Sequence, residues 1–184
     1  MRKFISIIIC IGVCFSAVSI GGCKNLSIGR SKYVIDCVLT DDMVLTGTEV
    51  VTFYNTTDAV LDELKFNLFG NAFRKGAKFS PISVQYQANA YPNGKNYGGM
   101  DILSVYNDKG KVAYSITGED QNVLTVPLNG EVYPEETTEI VIEFSLKLAD
   151  VVARTGYNDA TINLGNFYPI LCVYEDGEFY ECKY

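Results

Sequence analysis

Glu139-Ile140-Val141-Ile142-Glu143-Phe144-Ser145-Leu146-Lys147-Leu148 alternates without a break. Ile140, Ile142, Phe144, Leu146 and Leu148 share one face. Glu139, Val141, Glu143, Ser145 and Lys147 share the other. Successive side chains of a strand point to opposite sides, so a sustained period of two specifies a strand with one buried face. This pattern belongs to antiparallel sheets, whose second face can stay wet.

The same period runs outward from this segment. Tyr33, Ile35, Cys37 and Leu39 alternate with Val34, Asp36, Val38 and Thr40. Met43 to Tyr54 is rich in Val, Thr, Phe and Tyr, and Gly47 inside it marks a bulge or a close approach. Leu64, Phe66 and Leu68 alternate with Glu63, Lys65 and Asn67. Val112, Tyr114 and Ile116 follow the turn Asn107-Asp108-Lys109-Gly110. Val123 to Leu128 forms a short strand that Asn129-Gly130 should end. Ile162 to Tyr180 reads as strand, Asp176-Gly177 turn and strand.

No segment places apolar residues at i, i+3, i+4 and i+7 over three turns, and Asp58 to Leu64 has room for one turn at most. Short strands punctuated by Gly, Asn and Pro predict an all-β domain, an antiparallel sandwich or a strongly twisted pair of sheets. Ser80 to Gly99 is the longest irregular stretch, with Pro81, Pro92, Asn93-Gly94 and Gly98-Gly99. Its tyrosines, Tyr86, Tyr91 and Tyr97, form the candidate binding loop. Their simplest role is to cover one end of the sandwich, ring buried and hydroxyl wet.

The first residues are different in kind. Arg2 and Lys3 precede an almost wholly apolar run from Phe4 to Ile20. A short positive region before such a run is an export signal, and it is set aside from the fold. The run ends in Ile20-Gly21-Gly22-Cys23, which resembles the bacterial lipobox. That resemblance implies a signal peptide over residues 1–22 and diacylglycerol on the Cys23 thiol. Residues 23–31 then form a tether, and residues 32–184 form the domain. Two or three acyl chains anchor firmly, since each buried CH₂ contributes about 0.8 kcal/mol. The expected location is extracytoplasmic, on a bacterial membrane. No later stretch is long and apolar enough to span a bilayer.

Beyond Cys23 the chain carries 13 basic and 22 acidic residues with no basic cluster, so nucleic acid is not an expected partner. There is no His. That removes the commonest general base, zinc ligand and partner of a Ser or Cys nucleophile. Cys37, Cys172 and Cys182 remain besides Cys23 and show no C-x-x-C spacing, so no metal site is expected. A two-residue loop at Asp176-Gly177 sets Cys172 opposite Glu181; a three-residue loop sets it opposite Cys182. The register stays open, and free, partly buried thiols are the expectation.

Carboxylates are plentiful, among them Asp36, Asp41, Asp42, Glu49, Asp62, Glu63, Asp101, Glu119, Asp120, Glu135 and Glu136. Most are expected in turns or on solvent-facing strand positions. Nothing marks a catalytic pair, and Asp41-Asp42 reads as a turn. Asn25-Leu26-Ser27 and Asn55-Thr56-Thr57 match the glycosylation sequon, but the second reads better as a hairpin loop.

Several runs, in order, resemble the N-terminal β-domain of M1-family zinc aminopeptidases, the gluzincins related to aminopeptidase N and leukotriene A4 hydrolase. Tyr33-Val34-Ile35-Asp36, Leu45-Thr46-Gly47-Thr48-Glu49-Val50 and Phe53-Tyr54-Asn55 are similar to the family's opening hairpin. Leu61 to Phe73 resembles its L-x-F-x-L-Y-P-N-A-F run, with Gly70 in place of the usual Pro. Arg154-Thr155-Gly156, Leu164-Gly165-Asn166-Phe167-Tyr168-Pro169 and Val173-Tyr174-Glu175-Asp176-Gly177 resemble its closing G-N-W-Y-P … Y-D-G-W, with Phe167 and Phe179 where Trp is common.

The resemblance covers residues 32–184. It implies a saddle-shaped, non-catalytic domain that packs on an M1-like catalytic domain, in cis or in trans. The family's zinc motif H-E-x-x-H belongs to that next domain, so zinc is implied only there. No catalytic, metal or substrate residue is carried over, and the chain alone is expected not to be an enzyme. A stand-alone surface lipoprotein that binds peptide or glycan through the tyrosine loop is the alternative.

Overall fold

The computed structural model of the protein describes residues 29–184. The signal segment 1–22, the lipidation site Cys23 and the first part of the tether lie outside the described residues. In chain order the strands are β1 (Lys32–Leu39), β2 (Val44–Tyr54), β3 (Leu61–Asn67), β4 (Gly99–Asn107), β5 (Gly110–Lys111) and β6 (Ser115–Thr117). They continue with β7 (Val123–Val132), β8 (Thr137–Lys147), β9 (Thr155–Tyr157), β10 (Ile162–Leu164), β11 (Ile170–Leu171), β12 (Tyr174–Glu175) and β13 (Glu178–Phe179).

The segment with the clearest alternation becomes the middle of the larger sheet. That sheet runs β1-β2-β8-β4-β5, and the second runs β11-β3-β7-β6. All named pairings are antiparallel. Ile140, Ile142, Phe144 and Leu146 are buried along β8, as their spacing predicts. They meet Leu45, Val51 and Phe53 from β2 and Met100, Ile102 and Val105 from β4. Leu64 and Phe66 of β3 with Leu124 and Val126 of β7 close the same core from the other sheet. The molecule is therefore an all-β sandwich. Full burial of each such side chain contributes about 1.5–3 kcal/mol.

Gly47 is a close approach and not a bulge, for the β1–β2–β8 register passes through it unbroken. A Cβ there would sit 2.9 Å from the Phe144 ring and 3.0 Å from the Cys37 Cβ. The absent side chain is what lets Phe144 lie across β2.

Four local readings are corrected. Strand β4 directly follows the irregular stretch and was not expected. The register slips between Ile102 and Ser104, so Leu103 bulges out and is 52% exposed. An inserted residue flips the parity of every side chain after it, which hides the strand from a period-two search.

Strand β7 does not stop at Asn129-Gly130 but continues to Val132. The slip falls between the Leu61–Val132 and Glu63–Pro127 pairs, so the two residues lie in a bulge. Pro127, which cannot donate to a ladder, sits at its edge.

Val112 and Tyr114 belong to no strand. The chain leaves the first sheet there, with Val112 N–H still donating to Val105 O at 2.8 Å, and enters the second at β6.

Finally, Glu49 is not on the wet face. It shares parity with Leu45, Val51 and Phe53 on β2 and is fully buried.

Candidate functional site

The irregular stretch, Ser80 to Gly99, contains a 3₁₀ turn, Val84–Tyr86, and a single helical turn, Gln87–Ala90. Ala90 is buried and its carbonyl accepts from Val152 N–H at 2.8 Å, which pins the stretch to the segment after β8. The three tyrosines separate. Tyr91 packs beside a small core of Ala72, Phe73, Ala90, Ala149 and Val151. Burial, then the neighbouring Tyr97, raises the Tyr91 pKa above its ordinary value. Tyr97 takes the Lys95 ammonium 5.9 Å from its ring centroid. Tyr91 and Tyr97 line one groove of about 210 Å³ with Phe73, Arg74 and Lys95. Tyr86 is 58% exposed and borders a different hollow, against Ile82, Ala90 and Val152. Two of the three predicted loop tyrosines thus come together, and the third does not.

A second site was not legible in the sequence. Strand β3 ends in the 3₁₀ turn Phe69–Phe73, whose Asn71 is fully buried. Asn71 Oδ1 accepts from Met100 N–H at 2.7 Å, and its Nδ2 donates to Gln121 O. That one amide joins β4 to the turn before β7. Leu68, Phe69, Ala72 and Phe79 then form the apolar floor of a cleft of about 110 Å³. Its rim is charged: Glu119 pairs with Lys78 at 2.7 Å, and Asp120 accepts the Lys78 and Phe79 amides at 2.7 and 3.0 Å. Lys183 Nζ stands 3.6 Å from the Phe79 ring centroid, a cation–π contact. The Tyr184 ring leans edge-on against Phe69 and Phe73. Phe79 and Lys183 are about a hundred residues apart, and no local pattern links them. Chemically the cleft can hold a small apolar group beside carboxylates and one cation. Its described lining holds no Ser, Thr or Cys side chain.

Glu49 borders neither hollow. It lies between Ile35 on β1 and Ile142 on β8, and neither carboxylate oxygen has a hydrogen-bond partner among the described residues. Burial pushes its pKa up to about 8, so the group is protonated at neutral pH. Tyr33 stands near it. Burial pushes that hydroxyl to about 12, with the Leu171 amide opposing and Glu49 adding to the rise.

The cysteine register is settled by the hairpin of β12 and β13. Glu175 pairs with Glu178, leaving Asp176 (φ 53°) and Gly177 (φ 87°) as the loop. Both positive φ values fit a two-residue type I′ turn. Extended by the Tyr180 N–H to Val173 O bond, this register sets Cys172 opposite Glu181. Cys172 is buried and Cys182 exposed, and Cys37, Cys172 and Cys182 are all free. Burial pushes the Cys172 thiol to about 12, which makes it a poor nucleophile at neutral pH. Asn55 of the second sequon is buried, its amide donating to Ala59 O and Val132 O, so it is a loop staple.

Among the described residues no three His, Cys, Asp or Glu side chains come close enough to hold a metal ion. Comparison of the chain with models of known protein families and with curated proteins found no match.

Proposed function

We propose that residues 32–184 are the non-catalytic β-domain of a membrane-anchored, M1-like zinc aminopeptidase, tethered through lipidated Cys23. In this reading the domain supports and positions the catalytic domain, which supplies the zinc and the reacting groups. The observation that supports it is the meeting of the two resembling runs. Leu61 to Phe73 and the closing runs, Leu164 to Pro169 and Val173 to Gly177, lie about a hundred residues apart in the chain, yet β11, which lies between those closing runs, pairs with β3 through Ile170–Asn67 and Leu171–Phe66. Asn67 Oδ1 also accepts the Cys182 amide at 2.9 Å, and Lys65 meets Glu181 at 2.8 Å. The resembling opening run is likewise one hairpin, β1 with β2.

The test is to solubilise membranes of the source cells, capture the full chain and assay zinc-dependent hydrolysis of aminoacyl-nitroanilides. Activity is expected to travel with the chain and to be absent when the chain is purified alone. Capture without peptidase activity, from cells whose DNA near this gene encodes no H-E-x-x-H, overturns the reading. Labelling with an alkyne fatty acid should mark the chain, and Cys23→Ala should abolish the label.

The groove shared by Tyr91 and Tyr97 favours a second reading, a stand-alone surface lipoprotein that binds peptide or glycan. Under it, Tyr91→Ala with Tyr97→Ala removes saturable binding while Tyr86→Ala leaves it intact. Under the first reading neither change alters the captured activity.

A further inference from the structure

Sheet edges in this molecule are unequal. The larger sheet ends at one side in the two-residue β5, and the smaller ends in the two-residue β11 and the three-residue β6. Short edges are the usual way to avoid joining another chain. The fourth edge, β1, is eight residues long, has no proline, and pairs with β2 in one unbroken register from Lys32–Thr52 to Leu39–Leu45.

The free side of β1 is also poised to pair. Thr40 N–H donates to Val44 O at 2.9 Å, in the same register as the strand. The alternation of an antiparallel ladder then turns the amides and carbonyls of the even residues toward β2. Those of Tyr33, Ile35, Cys37 and Leu39 face outward. Among the described residues no backbone hydrogen bond from elsewhere reaches these four.

The outer face of β1 carries Lys32, Val34, Asp36 and Val38; Val34 is 50% and Val38 67% exposed. We infer that a second copy of this chain pairs with β1 about a two-fold axis through Val34, joining two five-stranded sheets into one of ten. In this register Lys32 faces Asp36 of the second copy and Asp36 faces its Lys32, both on the outer face. Val34 meets Val34 between them, and Tyr33 and Ile35 exchange backbone hydrogen bonds. The strand is its own charge complement only here. An axis at Asp36 sets two carboxylates face to face, and an axis at Lys32 sets two ammonium groups face to face. Directly opposed charges of unlike sign stabilise a strand pair, and like charges destabilise it by a similar amount.

The apolar outer patch joins the pairing. Val34, Val38 and Val50 border a hollow with Leu103, and the two-fold places the twin patch alongside it on the same side of the sheet. Such isologous pairing closes at two, because each β1 is then covered.

The test uses the full chain in detergent micelles, its mass followed by sedimentation. A reversible dimer is expected. Lys32→Asp and Asp36→Lys should each weaken it at least roughly tenfold, and the double exchange should restore it. In a Cys37→Ser background, Val34→Cys should cross-link to itself on mild oxidation, whereas Thr46→Cys, on the next strand in, should not. Circular dichroism matching the parent confirms that each variant is folded. A monomer at every concentration overturns the inference. So does an oligomer indifferent to the charge exchanges, or a native Cys37–Cys37 cross-link, which demands another register.

Discussion

Buried polar groups are handled in opposite ways in the loops of the sandwich and at its centre. In loops at opposite ends of the sandwich, Asn55 and Asn71 are fully buried and bonded to backbone on both sides of their amides: Asn55 to Ala59, Val132 and Thr57, Asn71 to Met100 and Gln121. In the middle of β2, Glu49 is equally buried and has no hydrogen-bond partner among the described residues. An amide has no charge to lose, so a satisfied asparagine holds loops together at any pH. A carboxyl in the same setting is tolerable only while protonated. The fold is therefore stapled at its loops by groups indifferent to pH and carries a conditional group, Glu49, at its centre.

The largest effect should come from that centre. Between its ordinary 4.5 and about 8, Glu49 is protonated when folded and ionised when unfolded. Unfolding releases a proton in this window, so stability falls as pH rises, by about 1.4 kcal/mol per unit, and levels off above it. Urea titrations from about pH 5 to about pH 8 should show a loss of several kcal/mol in the parent, and Glu49→Gln should flatten it. A parent profile that is already flat breaks the contrast.

Asn71→Ala comes next. It strands the Met100 amide and the Gln121 carbonyl, and should cost about 2–3 kcal/mol by the same titration, equally at both pH values. Asn55→Ala should cost about 2 kcal/mol, and heat-induced unfolding followed by circular dichroism checks it. The smallest effect belongs to a surface ion pair. Lys65→Met, which removes the contact with Glu181, should change stability by about 0.5 kcal/mol or less, and added salt should erase the difference.

Legibility in the sequence follows the same division. The alternation of β8 and β1 declared the sandwich, because burial of one face imposes parity on every residue of a regular strand. Where parity is interrupted, as by Leu103 in β4, the strand disappeared from view. Glu49 was visible by parity, sharing it with Leu45, Val51 and Phe53, but its residue type argued for solvent, and type prevailed over position. The tyrosine loop was found as a loop. The separation of Tyr86 from Tyr91 and Tyr97 depends on Ala90 docking against Val152, a contact between distant segments. The Phe79–Lys183 cleft and the Asn71 staple had no local signature, since their partners come from remote parts of the chain.

The central position of β8 also governs how the chain must assemble. Val44, the first residue of β2, pairs with Lys147, the last of β8. During synthesis β2 is complete about a hundred residues before its inner neighbour exists, and contacts this distant in sequence make folding slow. Until β8 arrives, the β1–β2 hairpin presents Leu45, Val51 and Phe53 to water on a nascent chain. The protein is thus most vulnerable to aggregation in the interval between making its second strand and its eighth, and a holdase that shields the hairpin over that interval should raise its yield.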